Sequence, residues 1–107
     1  MKIFRTRLYK TQLLNILKHI AKDKISASVN FHNELNEQIE NLINSPLKCR
    51  QSIYLNDKNV RDMIFKKYTI QFKIYKTKIS VLKIFNKNKP ISFWYFNYDV
   101  KYNFDPI

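Results

Sequence analysis

The chemistry open to this sequence is mainly that of lysine. Residues 49–91 carry eleven Lys and Arg against two Asp and Glu, a net of +9, whereas residues 1–48 carry eight against four, a net of +4. The whole chain of 107 residues has a formal charge of +12. A charge of this size on a small protein attracts polyanions, such as nucleic acid, an anionic membrane or an acidic protein. A generally Lys-, Asn- and Ile-rich composition is the competing explanation, and a solvated basic surface is what it would produce. Other reactive groups are few. Cys49 is the only cysteine, so an intramolecular disulfide is excluded, and Cys49, His19 and His32 do not fall at any metal-ligand spacing. With no histidine near it in sequence, Cys49 reads as a small packed residue in a reducing context rather than as a nucleophile. His19 lies off the apolar stripe of its helix and His32 follows Phe31, so both read as surface residues. The chain contains no glycine, which excludes every glycine-rich phosphate loop, and no cofactor is expected.

The elements that must position the lysines follow from periodicity. Residues 2–9 alternate, with Phe4, Thr6 and Leu8 on one side, and read as a strand. Thr11 is a candidate cap, and Leu13, Leu14, Leu17, Ile20 and Ala21 predict an amphipathic helix over 12–22. Ser26 is a candidate cap for a second helix, whose stripe is Ala27, Phe31, Leu35, Ile39, Leu42 and Ile43 and which Ser45-Pro46 ends. The short break between the two helices predicts an antiparallel hairpin.

Beyond Pro46 the period becomes that of strands. Ser52–Leu55 is a short candidate, followed by a turn at Asn56-Asp57-Lys58-Asn59 and a strand over Val60–Lys66. Tyr68, Ile70, Phe72 and Ile74 then alternate with Thr69, Gln71, Lys73 and Tyr75, the pattern of a half-buried strand. After a connection at Lys76-Thr77-Lys78, Ile79–Phe85 is nearly continuous in apolar residues, which suits a strand covered on both faces. From Trp94 to Phe104 every second residue is large and apolar. This reads as one strand or, with a turn at Asn97 or Asp99, as two. Exposed, Trp94, Phe96 and Tyr98 would serve as base-stacking platforms, but strict alternation argues that one face is buried.

Helices followed by strands define an α+β fold: an N-terminal strand, an antiparallel helical hairpin, then an antiparallel three- to four-stranded sheet, with an aromatic C-terminal strand or tail. One domain over 1–107 is expected, with 91–107 as a C-terminal extension. The start MKIFRTRLYK lacks the apolar core of a signal peptide, and no apolar run reaches the roughly 20 residues of a membrane span, so a cytoplasmic location away from membranes is expected.

In order and spacing, several landmarks resemble the RelE/ParE family of toxins from type II toxin–antitoxin pairs. They are Leu42-Ile43-Asn44-Ser45-Pro46, Val60-Arg61-Asp62-Met63, Tyr68-Thr69-Ile70-Gln71-Phe72, Ile79-Ser80-Val81-Leu82-Lys83-Ile84-Phe85 and the basic stretch Asn86–Lys89. The likeness spans about residues 1–90. It implies the fold above and a cognate antitoxin that wraps the toxin. The target it implies is either DNA gyrase, bound without catalysis, or mRNA, cut in the ribosomal A site.

The two branches make different demands. Cleavage by a 2′-hydroxyl needs a proton acceptor, a group to stabilise the phosphate charge and a proton donor. Aligned on Tyr68, the resemblance puts Lys89 where RelE-type toxins carry an arginine and Tyr95 where they carry a tyrosine, so these two would be the catalytic pair of an mRNA endonuclease. Against that branch, Thr69 stands where an arginine is usual and Asp62 at or near a position expected to be basic. Lys89 also lacks the planar fork of arginine. The ParE-like branch is therefore favoured. Arg61 resembles a ParE-type strand arginine, expected to pair with an acid of the helical hairpin or with the antitoxin. Lys66, Lys67, Lys73, Lys83 and Lys87 are the expected target- or antitoxin-binding lysines.

Overall fold

The computed structural model describes residues 1–86. Strand β1 (Lys2–Arg5) ends at Thr6, and helix α1 (Arg7–Asp23) begins there. The Thr6 backbone N–H donates to Val81 O at 3.1 Å, continuing the strand pairing, while its Oγ1 accepts from the Tyr9 N–H at 3.0 Å, capping the helix. The expected strand over 2–9 and cap at Thr11 are thus corrected. Thr6 competes successfully as the cap because its hydroxyl also donates to Leu82 O at 2.8 Å, so one side chain serves two elements. Leu8, Tyr9, Gln12, Leu13 and Ile16 form the buried stripe of α1, and Leu14, expected inside, is 52% exposed.

Lys24 is the whole connection to helix α2 (Ile25–Glu40), an extended residue with φ −157° and ψ 118°. The helix starts without a side-chain cap, so Ser26 does not play that part. Ser28 Oγ instead donates to Leu17 O at 2.8 Å, and Arg5 reaches Glu40, so the end of each helix lies beside the start of the other. This is the antiparallel hairpin that the sequence predicts. Phe31, Leu35, Ile39 and Leu42 carry its second buried stripe, while Ile43 is 37% exposed. The α-helix proper stops at Glu40, and 3-10 turns at Asn41–Ile43 and Pro46–Lys48 lead into the sheet.

The sheet has five strands in the order β1-β5-β4-β3-β2, with β2 (Arg50–Gln51), β3 (Val60–Phe65), β4 (Tyr68–Ile74) and β5 (Lys78–Asn86). It is mixed: β1 lies parallel to β5, and the remaining pairs are antiparallel. The α+β order holds, while the sheet is larger than expected because β1 and the two-residue β2 become its edges. Residues 52–55 are not a strand. Ser52 Oγ accepts from the Tyr54 N–H at 3.2 Å and turns the chain away, and Asp57 Oδ1 accepts from the Asn59 N–H at 2.9 Å to make the expected turn before β3. β3 stops at Phe65, and Lys66 takes a left-handed φ of 56° at the tip of the β3–β4 hairpin.

Alternation sorts the side chains. Met63, Tyr68, Ile70, Phe72, Ile79, Val81 and Ile84 meet the helical hairpin in one core. Thr69 and Gln71 point to the other face and are nonetheless fully buried, so β4 is covered on both sides rather than half-buried as expected. Part of that cover is the 52–59 loop: Gln71 Nε2 donates to Ser52 Oγ at 3.4 Å, and the Tyr54 ring meets Phe85 edge-on at 5.1 Å. β5 is bulged. Gln71 pairs with Lys83 but Phe72 pairs with Val81, which leaves Leu82 unopposed. The buried Gln12 side chain accepts the Ile84 N–H at 2.8 Å beside this bulge. Among the described residues, no helix is long and apolar enough to cross a membrane. The expected aromatic strand or tail over 91–107 lies outside the described residues.

Candidate functional site

Strand parity divides the predicted binding residues among three places. Arg61 is on the helix side of β3, beside core residue Met63 in parity, and its Nη1 donates to Cys49 O at 3.0 Å. Its partner is therefore a backbone carbonyl, and the expected pairing with an acid of the helical hairpin is not formed. The arginine fastens the segment before β2 to the sheet. Burial pushes the Cys49 thiol above its ordinary pKa, the Arg61 charge offsets part of that rise and Asp62 adds to it. A thiol held protonated in this way is a poor nucleophile.

Lys66 and Lys67 form the tip of the β3–β4 hairpin. Lys66 Nζ is 3.4 Å from Glu34 Oε2 and lies 5.8 Å and 5.5 Å from the rings of Phe31 and Phe65. Lys67 Nζ lies 6.0 Å over Tyr68. The tip therefore rests against α2 through Lys66, with both ammonium groups near aromatic rings and the Lys66–Glu34 pair at the surface.

Lys73 and Lys83 are on the opposite face of the sheet. Lys73 Nζ is 3.1 Å from Asp57 Oδ2 and 5.4 Å from the Tyr75 ring. Asp57 is held below the ordinary carboxylate pKa, first by the Asn59 N–H and then by Lys73. Lys83 is paired with Gln71, and Gln71 with Asp62, so Asp62, Gln71 and Lys83 form one row across β3, β4 and β5. Asp62 is buried. Its Oδ2 accepts from the Ile53 N–H at 3.3 Å and lies 3.5 Å from Arg50 Nε. Among the described residues, Asp62 Oδ1 and Gln71 Oε1 have no hydrogen-bond partner. This row places an acid and an amide in the middle of the sheet, and Thr69 beside them is buried as well. Lys87, Lys89 and Tyr95 lie outside the described residues.

Two features escaped the sequence reading. The first is a groove of about 650 Å³ along the helical hairpin. Its apolar wall is Leu13, Leu14 and Leu17, and its polar end is Arg5, His32, Asn36 and Glu40. Arg5 Nη2 donates to Glu40 Oε2 at 3.0 Å and to Asn36 Oδ1 at 3.4 Å, and Asn36 Nδ2 is 3.3 Å from His32 Nε2, which leaves His32 half-buried rather than on the surface. Tyr9 closes the groove from below. Burial raises its hydroxyl pKa to about 12, and the neighbouring Arg5 charge pulls against that rise. The signal in the sequence was the width of the α1 stripe, since the adjacent Leu13 and Leu14 cannot both face one core, and Leu14 is 52% exposed. The second is an aromatic and lysine cluster where β1, β4 and β5 meet. Lys78 Nζ lies 5.1 Å from the Phe4 ring and 5.0 Å from the Tyr75 ring.

A family model described as the ParE toxin of the type II toxin–antitoxin system, parDE, matches residues 3–89. Among solved structures, the chain is similar to one from the chromosomal ParDE TA system from P. aeruginosa, with a TM-score of 0.66 and 17% identity over 80% of this chain and 95% of that one. No curated protein sequence matches.

Proposed function

The chain belongs to the ParE family of toxins from type II toxin–antitoxin systems, and from that premise we propose that it inhibits growth in the cytoplasm by binding a target, DNA gyrase foremost, until a cognate antitoxin neutralises it. The observation that carries the choice of binding over cleavage is the buried row at the centre of the sheet. A metal-free nuclease would want cations there to stabilise a pentavalent phosphate. The row instead centres on the Asp62 carboxylate, paired with Arg50 and shielded by the 52–59 loop, and the neutral Gln71, with the single cation Lys83 at its β5 end. A phosphate brought to it would meet like charge and a strand face already covered.

The cognate antitoxin is a protein whose docking segment complements the groove on the helical hairpin. That groove offers leucines along its length and an Arg5–Glu40 pair at one end. It suits an amphipathic helix whose apolar face lies on the leucines. A net charge of +12 favours an acidic partner and speeds its association.

The reading is tested by inducible expression of the full chain with and without the small protein encoded beside it. Growth should stop in the first case and recover in the second. The purified chain should inhibit gyrase supercoiling or trap cleaved plasmid. Toxicity with A-site cuts by primer extension and an untouched gyrase would replace the reading with mRNA cleavage, in which Lys89 and Tyr95 would be the catalytic pair. Absence of toxicity in any host would sink both.

A further inference from the structure

The open face of the sheet, away from the helices, carries two exposed rings, Phe4 and Tyr75, that neither target binding nor antitoxin binding has absorbed. Phe4 in edge strand β1 is 49% exposed, and Tyr75 at the end of β4 is 40% exposed. Both belong to the face opposite the core, since Ile3 and Ile74 beside them are the residues that pack inward. Register brings them together. Phe4 pairs with Ser80 and Ser80 with Lys73, while Lys2 pairs with Lys78, whose carbonyl accepts the Tyr75 N–H at 2.8 Å. Lys78 Nζ is close to both rings, so their centroids are no more than about 10 Å apart. Lys73 Nζ also lies 5.4 Å from the Tyr75 ring.

We propose that Phe4 and Tyr75, with Lys2, Lys73 and Lys78, form a docking platform for single-stranded nucleic acid. Two half-exposed rings at this separation can each take a base from one extended strand. Ammonium groups already seated at the rings then reach the phosphates that accompany those bases. A paired duplex hides its bases from such rings and would meet only the lysines. The apolar core of a protein interface would fit poorly, because it would have to desolvate the lysine charges that lie over the rings. One acid, Asp57, shares Lys73 at 3.1 Å, which leaves Lys2 and Lys78 as the principal phosphate contacts. The proposal does not rest on the gyrase reading, because of its five residues only Lys73 is also expected to bind the target or the antitoxin.

The test is fluorescence anisotropy of labelled oligo-uridine, oligo-thymidine and a duplex of equal length with the purified full chain. Both single strands should bind more tightly than the duplex, and a preference between them identifies RNA or DNA as the ligand. Phe4→Ser and Tyr75→Ser should each weaken single-strand binding by about 5-fold or more. Lys78→Met should lower the slope of log affinity against log salt by about 0.7. Ile64→Ser, an exposed apolar residue on the same face beside Thr69, is the control and should bind as the parent does. Thermal midpoints of the four variants, all at partly exposed sites, establish that each is folded. Equal affinity for duplex and single strand, or aromatic variants that behave like Ile64→Ser, would overturn the proposal. So would variants that lose affinity for an acidic antitoxin while holding nucleic acid as before.

Discussion

Thr6→Val is the substitution from which the architecture has most to lose for the smallest change in shape. Thr6 is 8% exposed, and its side chain makes two bonds in opposite senses: it accepts from the Tyr9 N–H at 3.0 Å and donates to Leu82 O at 2.8 Å. Valine keeps the β-branched outline and removes both bonds. Loss of the helix cap costs about 1 kcal/mol. Loss of the bond to the Leu82 carbonyl costs about 1 kcal/mol more. The expected total is about 2 kcal/mol, which for a domain of this size lowers the thermal midpoint by roughly 8 °C. Thr6→Ser retains the hydroxyl and gives up one methyl, at a cost of about 0.8 kcal/mol. Denaturant titration of the two variants beside the parent separates the hydroxyl from the packing. Should Thr6→Val be as stable as Thr6→Ser, the hydroxyl is not what joins β1, α1 and the bulged strand, and the account of the N-terminal boundary is wrong.

Two further outcomes follow from the same structure. Lys66 sits at φ 56° in a chain without glycine, so Lys66→Gly should hold or raise stability by up to about 1 kcal/mol and Lys66→Val should lower it by about 1–2 kcal/mol, measured by chemical denaturation. Asp57 has a depressed pKa in the folded protein, so its contribution is present above the unfolded carboxylate pKa and is lost as pH falls through the lower folded value. Asp57→Asn keeps an acceptor for the Asn59 N–H but removes the charge. Its denaturation midpoint should therefore fall less than the parent's between neutral pH and pH values below about 4.

Element type was legible wherever one period ran unopposed. The stripe Phe31, Leu35, Ile39 and Leu42 and the alternation from Tyr68 to Ile74 both end up in the core as the spacing requires. Boundaries failed where local and tertiary demands met in one residue. Phe4, Thr6 and Leu8 alternate as a strand would, yet Thr6 turns the chain because Leu82 and Tyr9 both need its hydroxyl. The five-stranded sheet was not legible either, since β1 pairs with residues of β5 that lie 76 positions further along the chain and nothing in its four residues announces the partner.

The site was harder to read than the fold, and the bulge explains why. Counted from Ile79 and Val81, which face the helices, simple alternation assigns Lys83 to the helix side and Ile84 to the open face. The unopposed Leu82 reverses that parity, so Ile84 enters the core and Lys83 joins Gln71 and Asp62 on the other side. A bulge frees backbone groups that the ladder would otherwise satisfy, and here α1 supplies partners for them: Thr6 meets the Leu82 carbonyl and Gln12 meets the Ile84 N–H. A buried glutamine on an otherwise apolar stripe was the one trace of this arrangement in the sequence. Read without its partner 72 positions away, it is only a polar residue out of place. The face on which a basic strand presents its lysine thus depends on a bulge whose freed groups are satisfied by a helix and its cap, which is why charge counted along the strand cannot by itself locate a binding surface.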